Sequence, residues 1–157
     1  RCGNVSDSEL VAVMTHEVGH IVDIGLMNGD FFSGKSEFSD GSIPIYNDDL
    51  SLSFYRISWK NSSEMSEGAS SADFVTGYAM TDPFEDFAES YIMYTLHGTE
   101  FRMMARWNDS LQAKYDYIKV NIFDNKEFTG LVGDFSVGSR VYDSTLISYD
   151  MKKFLKD

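Results

Sequence analysis

The pattern of apolar and polar positions near the start of the chain predicts a long helix. Ser6-Asp7-Ser8-Glu9 has the form of a capping box, with Ser6 as the N-cap and Glu9 three residues further on. Gly25 fits the position that follows the end of a helix. The pattern therefore predicts a helix from about residue 7 to about residue 24. Apolar side chains recur along it at helical spacing and form a stripe: Leu10, Val13, Met14, Val18, Ile21 and Ile24.

A second long helix is predicted from about residue 83 to about residue 97. Asp82 and Pro83 are a typical N-cap and first helical residue, and His97-Gly98 ends the segment. We expect this helix to be buried on one side, because its apolar residues follow i, i+3 and i+4 spacing: Phe84, Phe87, Ala88, Tyr91, Ile92 and Leu96.

The rest of the chain predicts further helices and little sheet. Residues 99–122 are predicted to be helical with a break near Asn108, and residues 144–155 form a last amphipathic segment. Residues 28–42 and 61–71 are rich in small and polar residues and are predicted to be loops. Residues 47–59 fit a helix or a strand, and we favour the helix. At 157 residues, the expectation is a single domain of mainly α class.

The composition narrows the range of partners. The net charge is −12 and the isoelectric point is about 4.5, which argues against nucleic acid and anionic membranes as partners. No run of about 18 apolar residues occurs, so no membrane span is expected. Cys2 is the single cysteine, which excludes an internal disulfide, and we assign it no role.

The first predicted helix contains an H-E-x-x-H motif, from His16 to His20. Residues four apart on a helix point off one face, so both imidazoles can bind one metal ion. Glu17 lies beside them and can accept a proton from a water that the metal activates. Such a motif also arises by chance, but two of the chain's three histidines lie in this one. Both are next to the apolar stripe, where an imidazole without a partner is costly.

A catalytic zinc ion takes three protein ligands, and the third must come from outside the motif. Metzincins have a Gly and a His at the positions that Asp23 and Leu26 occupy here, so that class is excluded. His97 is one candidate, although a His at the end of a helix is favourable for the helix dipole alone.

An acidic pair on the second helix is the better candidate. Glu85 and Glu89 are four residues apart and share a face, while Asp86 points about 100° away. One carboxylate can bind the metal, and the other can accept the outer N–H of a ligating His. Such acidic clusters are commonly solvated helix faces, but these carboxylates are flanked by apolar residues and need a partner.

These residues resemble the gluzincin arrangement, and more closely the peptidase domain of anthrax-lethal-factor-like zinc proteases. The matching segments are HEVGHIVD (His16 to Asp23) and GYAMTDPFEDFAESY (Gly77 to Tyr91). In that family a Tyr precedes the ligand Glu by seven residues and a Phe-Ala-Glu turn follows, and Tyr78, Glu85 and residues 87–89 have this order and spacing. The resemblance covers the first helix and residues 77–122, but not residues 28–74 or the tail.

The resemblance implies that His16, His20 and Glu85 bind Zn²⁺ and that Glu17 is the general base. It further implies that Glu89 accepts a hydrogen bond from a ligating His.

Two further residues come with open alternatives. By resemblance, the Tyr78 hydroxyl would bind the oxyanion, but a packing role is also open. Asp23 lies one turn beyond His20, near a helix C-terminus where an acid opposes the helix dipole. It either orients a loop or ligand from the second shell of the site or is an ordinary exposed residue.

The resemblance implies an α+β zincin-like fold and a zinc-dependent endopeptidase that acts on proteins or peptides. It also implies a secreted or cell-surface protein of bacterial type. Two alternatives remain open: a catalytically silent zinc-binding module, and a zinc hydrolase of a non-peptide amide. Zincins have a small sheet before the metal-binding helix. Because the chain begins at Arg1, we expect one catalytic domain excised from a longer chain, with that sheet upstream or replaced by residues 28–74.

Overall fold

The computed structural model describes residues 6–128 and 141–154. Arg1, Cys2 and the last residue of the amphipathic segment, Leu155, lie outside the described residues. The fold is mainly α, as the sequence predicted. In chain order the α-helices of the described residues are α1 (Asp7–His20), α2 (Leu52–Ser58), α3 (Pro83–Leu96), α4 (Gly98–Ala105), α5 (Asp109–Asn121) and α6 (Met151–Phe154).

Two small antiparallel hairpins make up the sheet of the described residues. Strand β1 (Lys35–Asp40) pairs with β2 (Ile43–Tyr46), and β3 (Trp59–Asn61) pairs with β4 (Glu64–Met65). The loop prediction for residues 28–42 is therefore wrong over β1. A buried Phe38 anchors this strand against Tyr55, and Gly41 turns the hairpin with a φ of 55°. The loop prediction for residues 61–71 is likewise wrong at Asn61, which ends β3, and at the two residues of β4.

The predicted helix ends are correct at some positions and wrong at others. Ser6 Oγ accepts a hydrogen bond from Glu9 N, and Asp82 caps α3 through the backbone N–H groups of residues 84 and 85. The predicted break is confirmed, because Asn108 caps α5 by accepting from Leu111 N. Gly25 does not end the first helix, however, since α1 continues into a π-helix (Ile21–Leu26).

The helix prediction is confirmed within residues 47–59 but is wrong for the last amphipathic segment, residues 144–155. The helix favoured within residues 47–59 is α2, and β3 begins at the last residue of that segment. The last amphipathic segment is not one helix. It contains a 3₁₀ turn (Ser144–Leu146) and the single turn of α6.

The apolar stripe of α1 does not face the core. Met14 and Ile21 are 58% and 60% exposed, and the buried face of the helix consists of Ala12, His16 and Gly19. The reason is the close approach of α3, since a Cβ atom on Gly19 would lie 3.0 Å from the Ala88 Cα. Only small side chains fit between two backbones at this separation.

Helix α3 is the centre of the fold. It was predicted to be buried on one side, but each of its residues except Glu85 is buried. It packs against α1, α2, α4 and α5, so all of its faces are covered. Asp86 is fully buried, where it pairs with Lys114 Nζ at 2.7 Å and accepts from Trp59 Nε1 at 3.0 Å. None of the helices in the described part of the chain has the length and apolar character of a bilayer span.

Candidate metal centre

The packing of α1 on α3 brings two histidines and one glutamate together. His16 Nε2 lies 3.2 Å from Glu85 Oε2, and His20 Nε2 lies 3.4 Å from the same oxygen. The three ligand atoms lie within 4.8 Å of one another, and no other such group of three occurs among the described residues. Glu85 is available because it is the single residue of α3 that is not buried.

These distances suit a tetrahedral zinc shell. With metal–ligand bonds of about 2.0 Å, two ligand atoms of a tetrahedron are about 3.3 Å apart. The two separations from Glu85 Oε2, 3.2 and 3.4 Å, agree with that value. Glu85 Oε2 is also buried without a hydrogen bond of acceptable geometry. Two imidazole nitrogens and a buried carboxylate oxygen without a directed partner are a fitting donor set for Zn²⁺.

The electrostatics of the site reflect the same contacts. Burial by itself lowers the pKa of His16, but hydrogen bonds and charge attraction to Glu85 and Glu89 outweigh it and raise the pKa to about 9. Burial by itself raises the pKa of Glu85, but the close contacts with His16 and His20 and the hydrogen bond from Tyr78 hold it well below its ordinary value. The site therefore stabilises a negative Glu85 facing positive charge.

The second nitrogen of His16 faces a buried carboxylate. His16 Nδ1 lies 3.0 Å from Glu89 Oε1, and Glu89 is fully buried. The other donors to Glu89 are Thr76 Oγ1 at 2.6 Å, Ser144 Oγ at 2.8 Å and Ser144 N at 2.9 Å. With a carboxylate acceptor at this position, Nδ1 holds a proton that it donates to Glu89, and the contact orients the ring so that Nε2 points towards Glu85.

The two residues assigned to catalysis differ in their contacts with the ligand group. Glu17 is exposed on α1, and its carboxylate has no hydrogen bond or ion pair within the described residues. The Tyr78 hydroxyl donates to Glu85 Oε1 at 3.0 Å, and its ring centroid lies 6.0 Å from that of His16. Burial, followed by the hydrogen bond to Glu85, raises the pKa of Tyr78 to about 12. Tyr78 is therefore a neutral hydrogen-bond donor at the edge of the site.

Asp23 is buried below the site rather than exposed. It is 1% exposed and accepts the Tyr55 hydroxyl at 2.7 Å on both carboxylate oxygens. Burial raises the pKa of Asp23 to about 7, against the hydrogen bonds that lower it. The alternative of an ordinary exposed Asp is wrong. The carboxylate supports α2 through Tyr55, and its hydrogen bonds within the described residues do not reach His20.

His97 is separate from the ligand group. It is fully buried where α3 meets α4, neither ring nitrogen has a hydrogen bond within the described residues, and Tyr149 meets its ring edge-on. Burial lowers the pKa of His97 to about 4. His97 is thus a buried neutral histidine and does not join the His16–His20–Glu85 group.

Thr76 and Ser144 contact the site but were not identified from the sequence. Thr76 precedes Tyr78 by two residues and lies directly before Gly77, the first residue of the segment that carries the family resemblance. Ser144 is 55 residues from Glu89 in the chain and lies in a polar, turn-rich tail without any motif. The closeness of Thr76 to Tyr78 in the sequence could have indicated that Thr76 lies at the site. The contact between Ser144 and Glu89, in contrast, is visible only in the folded structure.

Comparison of the chain with protein-family models, with curated proteins and with solved structures finds no match.

Proposed function

We propose that this protein is a zinc-dependent peptidase of gluzincin type, with His16, His20 and Glu85 as the zinc ligands. The observation that carries the proposal is the convergence of two imidazole nitrogens and one carboxylate oxygen at 3.2 and 3.4 Å. The two separations from Glu85 Oε2 are close to the value of about 3.3 Å expected for a tetrahedral shell, and the three residues come from two different helices. The motif pair on α1 and α3 supports a peptidase over other zinc hydrolases.

A zinc ion at this position would polarise a carbonyl group and lower the pKa of bound water to about 7. Glu17 accepts a proton from the attacking water and returns it to the leaving nitrogen, a role that needs an accessible carboxylate next to the ligands. Its exposure on α1 and its position between the two histidines suit that role.

Tyr78 donates a hydrogen bond to the oxyanion that develops on the substrate carbonyl. Its neutral hydroxyl lies next to the ligand carboxylate, 3.0 Å from Glu85 Oε1, which supports this role. Glu89 holds His16 from behind. A purely structural metal site requires neither Glu17 nor Tyr78, so their presence supports an enzyme over a silent zinc-binding module.

The test is cleavage of an unbiased peptide library by the zinc-loaded protein, with and without a chelator. We expect chelator-sensitive cleavage in the wild type. Glu17→Gln keeps the size and position of the side chain but removes the base, so we expect it to bind zinc normally and to cleave nothing.

Glu85→Gln on α3 is the variant matched to Glu17→Gln. It makes the same change from carboxylate to amide, but in a proposed zinc ligand instead of the proposed base. We expect it to lose zinc and activity together. Asp86→Ala is unsuitable as the comparison, because Asp86 is the buried partner of Lys114 and its loss would destabilise the fold. Undiminished cleavage by Glu17→Gln would refute the peptidase mechanism, and zinc binding without any cleavage would favour the silent module.

A further inference from the structure

The carboxylate behind His16 is held mainly by a segment from the far end of the chain. Residues 141–146 run across the site as a strap. Gly77 N donates to Val141 O at 3.1 Å, and Tyr78 N donates to Tyr142 O. Gly77 permits this approach, because a Cβ atom there would lie 2.8 Å from the Tyr142 ring. The strap thereby fixes the backbone that carries Tyr78 and delivers Ser144 to Glu89.

Ser144 contacts both oxygens of the Glu89 carboxylate. Its hydroxyl donates to Oε1 at 2.8 Å, the oxygen that also meets His16 Nδ1, and its backbone N–H donates to Oε2 at 2.9 Å. Thr76 Oγ1 donates to Oε2 at 2.6 Å. Each oxygen therefore has two donors, and the carboxylate cannot rotate without breaking several hydrogen bonds at once.

Ser144 belongs to a short turn that is also stabilised by hydrogen bonds outside Glu89. It opens the 3₁₀ turn Ser144–Leu146 and is fully buried. Asp143 caps this turn by accepting from Thr145 N at 2.8 Å and from Thr145 Oγ1 at 2.6 Å. The turn that carries Ser144 therefore has stabilising hydrogen bonds of its own, which do not involve Glu89.

We propose that Ser144 is a positioning residue for the ligand His16, acting through Glu89. By fixing Glu89 Oε1 opposite Nδ1, the Ser144 hydroxyl holds the imidazole ring so that Nε2 points at Glu85. Groups that hold the outer nitrogen of a ligating His are typically worth 10- to 100-fold in metal affinity. Since Ser144→Ala removes one donor of four and keeps the backbone N–H, we expect the lower end of that range.

The effect on zinc affinity rests on the proposed function, whereas the effect on the His16 ring does not. Two readouts are therefore measured on the whole chain. The first is the imidazole N–H resonance of His16 Nδ1 in ¹⁵N-labelled, metal-free protein, with the His20 ring as an internal reference. The second is the zinc dissociation constant by competition with a chelator.

For Ser144→Ala we expect loss of the protected His16 N–H resonance, an unchanged His20 resonance and zinc binding weakened about tenfold. Thr145→Val is the matched control, because it removes a hydroxyl that donates to Asp143 in the same turn but does not touch Glu89. We expect it to keep both readouts near those of the wild type. Ser144→Cys keeps the shape of the side chain but has only a weak S–H donor. We therefore expect its His16 N–H resonance and its zinc affinity to be intermediate between those of the wild type and of Ser144→Ala.

Unchanged readouts in Ser144→Ala would overturn the proposal. So would equal changes in Ser144→Ala and Thr145→Val, which would mean that Ser144 only holds the strap in place. If Ser144→Ala does not fold, Ser144→Cys decides by the same criteria. If the wild type binds no zinc, the proposed function fails, while the His16 resonance still tests the role of Ser144.

Discussion

Gly19 lies where α1 crosses α3, and adding one methyl group there tests whether this close approach builds the site. In Gly19→Ala the new Cβ would lie 3.0 Å from the Ala88 Cα and 3.2 Å from the Tyr91 Cβ. Carbon atoms pack best at about 3.5 Å or more, so the helices must separate by about 0.5 Å. The Ala88 Cα is backbone and cannot rotate away from the new methyl group.

Two opposing effects set the size of the change. Overpacking of a tight core costs about 1–3 kcal/mol, and replacing Gly by Ala within a helix returns about 0.5–1 kcal/mol. We therefore expect the free energy of unfolding of Gly19→Ala to fall by about 1 kcal/mol, and by at most about 2.5 kcal/mol. Zinc affinity should fall as well, since the histidines are on α1 and Glu85 is on α3.

Urea denaturation of the metal-free protein and chelator competition for zinc measure the two quantities. Gly25→Ala is the matched control, because a Cβ atom there meets only Ile21 Cγ2 at an ordinary 3.7 Å. It should leave zinc affinity unchanged and raise the free energy of unfolding by up to about 1 kcal/mol. Equal stability and equal zinc affinity of the two variants would refute the claim that the α1–α3 approach positions the ligands.

Three further predictions concern the surface, the buried histidine and the candidate oxyanion donor. Met14 lies on the exposed face of α1, so Met14→Gln should change the free energy of unfolding, measured by urea denaturation, by less than about 0.5 kcal/mol. A loss of about 2 kcal/mol or more would mean that this face is covered. Burial lowers the pKa of His97 from 6.5 to about 4, so the folded protein binds this proton less well than the unfolded chain, and stability is lost as the pH falls from 6.5 towards 4. His97→Leu should remove about 3 kcal/mol of that loss, so the free energy of unfolding of the wild type should fall more steeply than that of the variant between pH 6.5 and about 4. Parallel stability–pH curves for the wild type and the variant would contradict this prediction. Tyr78→Phe should keep its zinc and lower kcat by about 100- to 1,000-fold, and a change confined to KM would exclude the oxyanion role.

The helix signals in the sequence were reliable where local chemistry decides the structure. Ser6, Asp82 and Asn108 cap their helices because a side-chain oxygen next to free backbone N–H groups is a local arrangement. For the same reason, the four-residue spacing within the motif on α1 and between Glu85 and Glu89 places each pair on one helix face.

Tertiary packing decided the features that the sequence did not predict. Gly25 is a typical helix-ending residue, yet the chain continues as a π-helix, which turns Asp23 inward to Tyr55. The apolar spacing of α1 indicated a buried stripe, but the close fit of Gly19 against Ala88 determines which face is covered. Ser144 reaches Glu89 from 55 residues away, and no local pattern encodes that contact.

The central claim is that His16, His20 and Glu85 together bind one zinc ion. Its most direct test is the zinc content of purified protein after dialysis against a weak chelator, compared between the wild type, Glu17→Gln and Glu85→Gln. We expect close to one zinc ion per chain in the wild type and in Glu17→Gln, and little in Glu85→Gln. A wild type without zinc, or a Glu85→Gln variant that retains as much zinc as Glu17→Gln, would contradict the assignment.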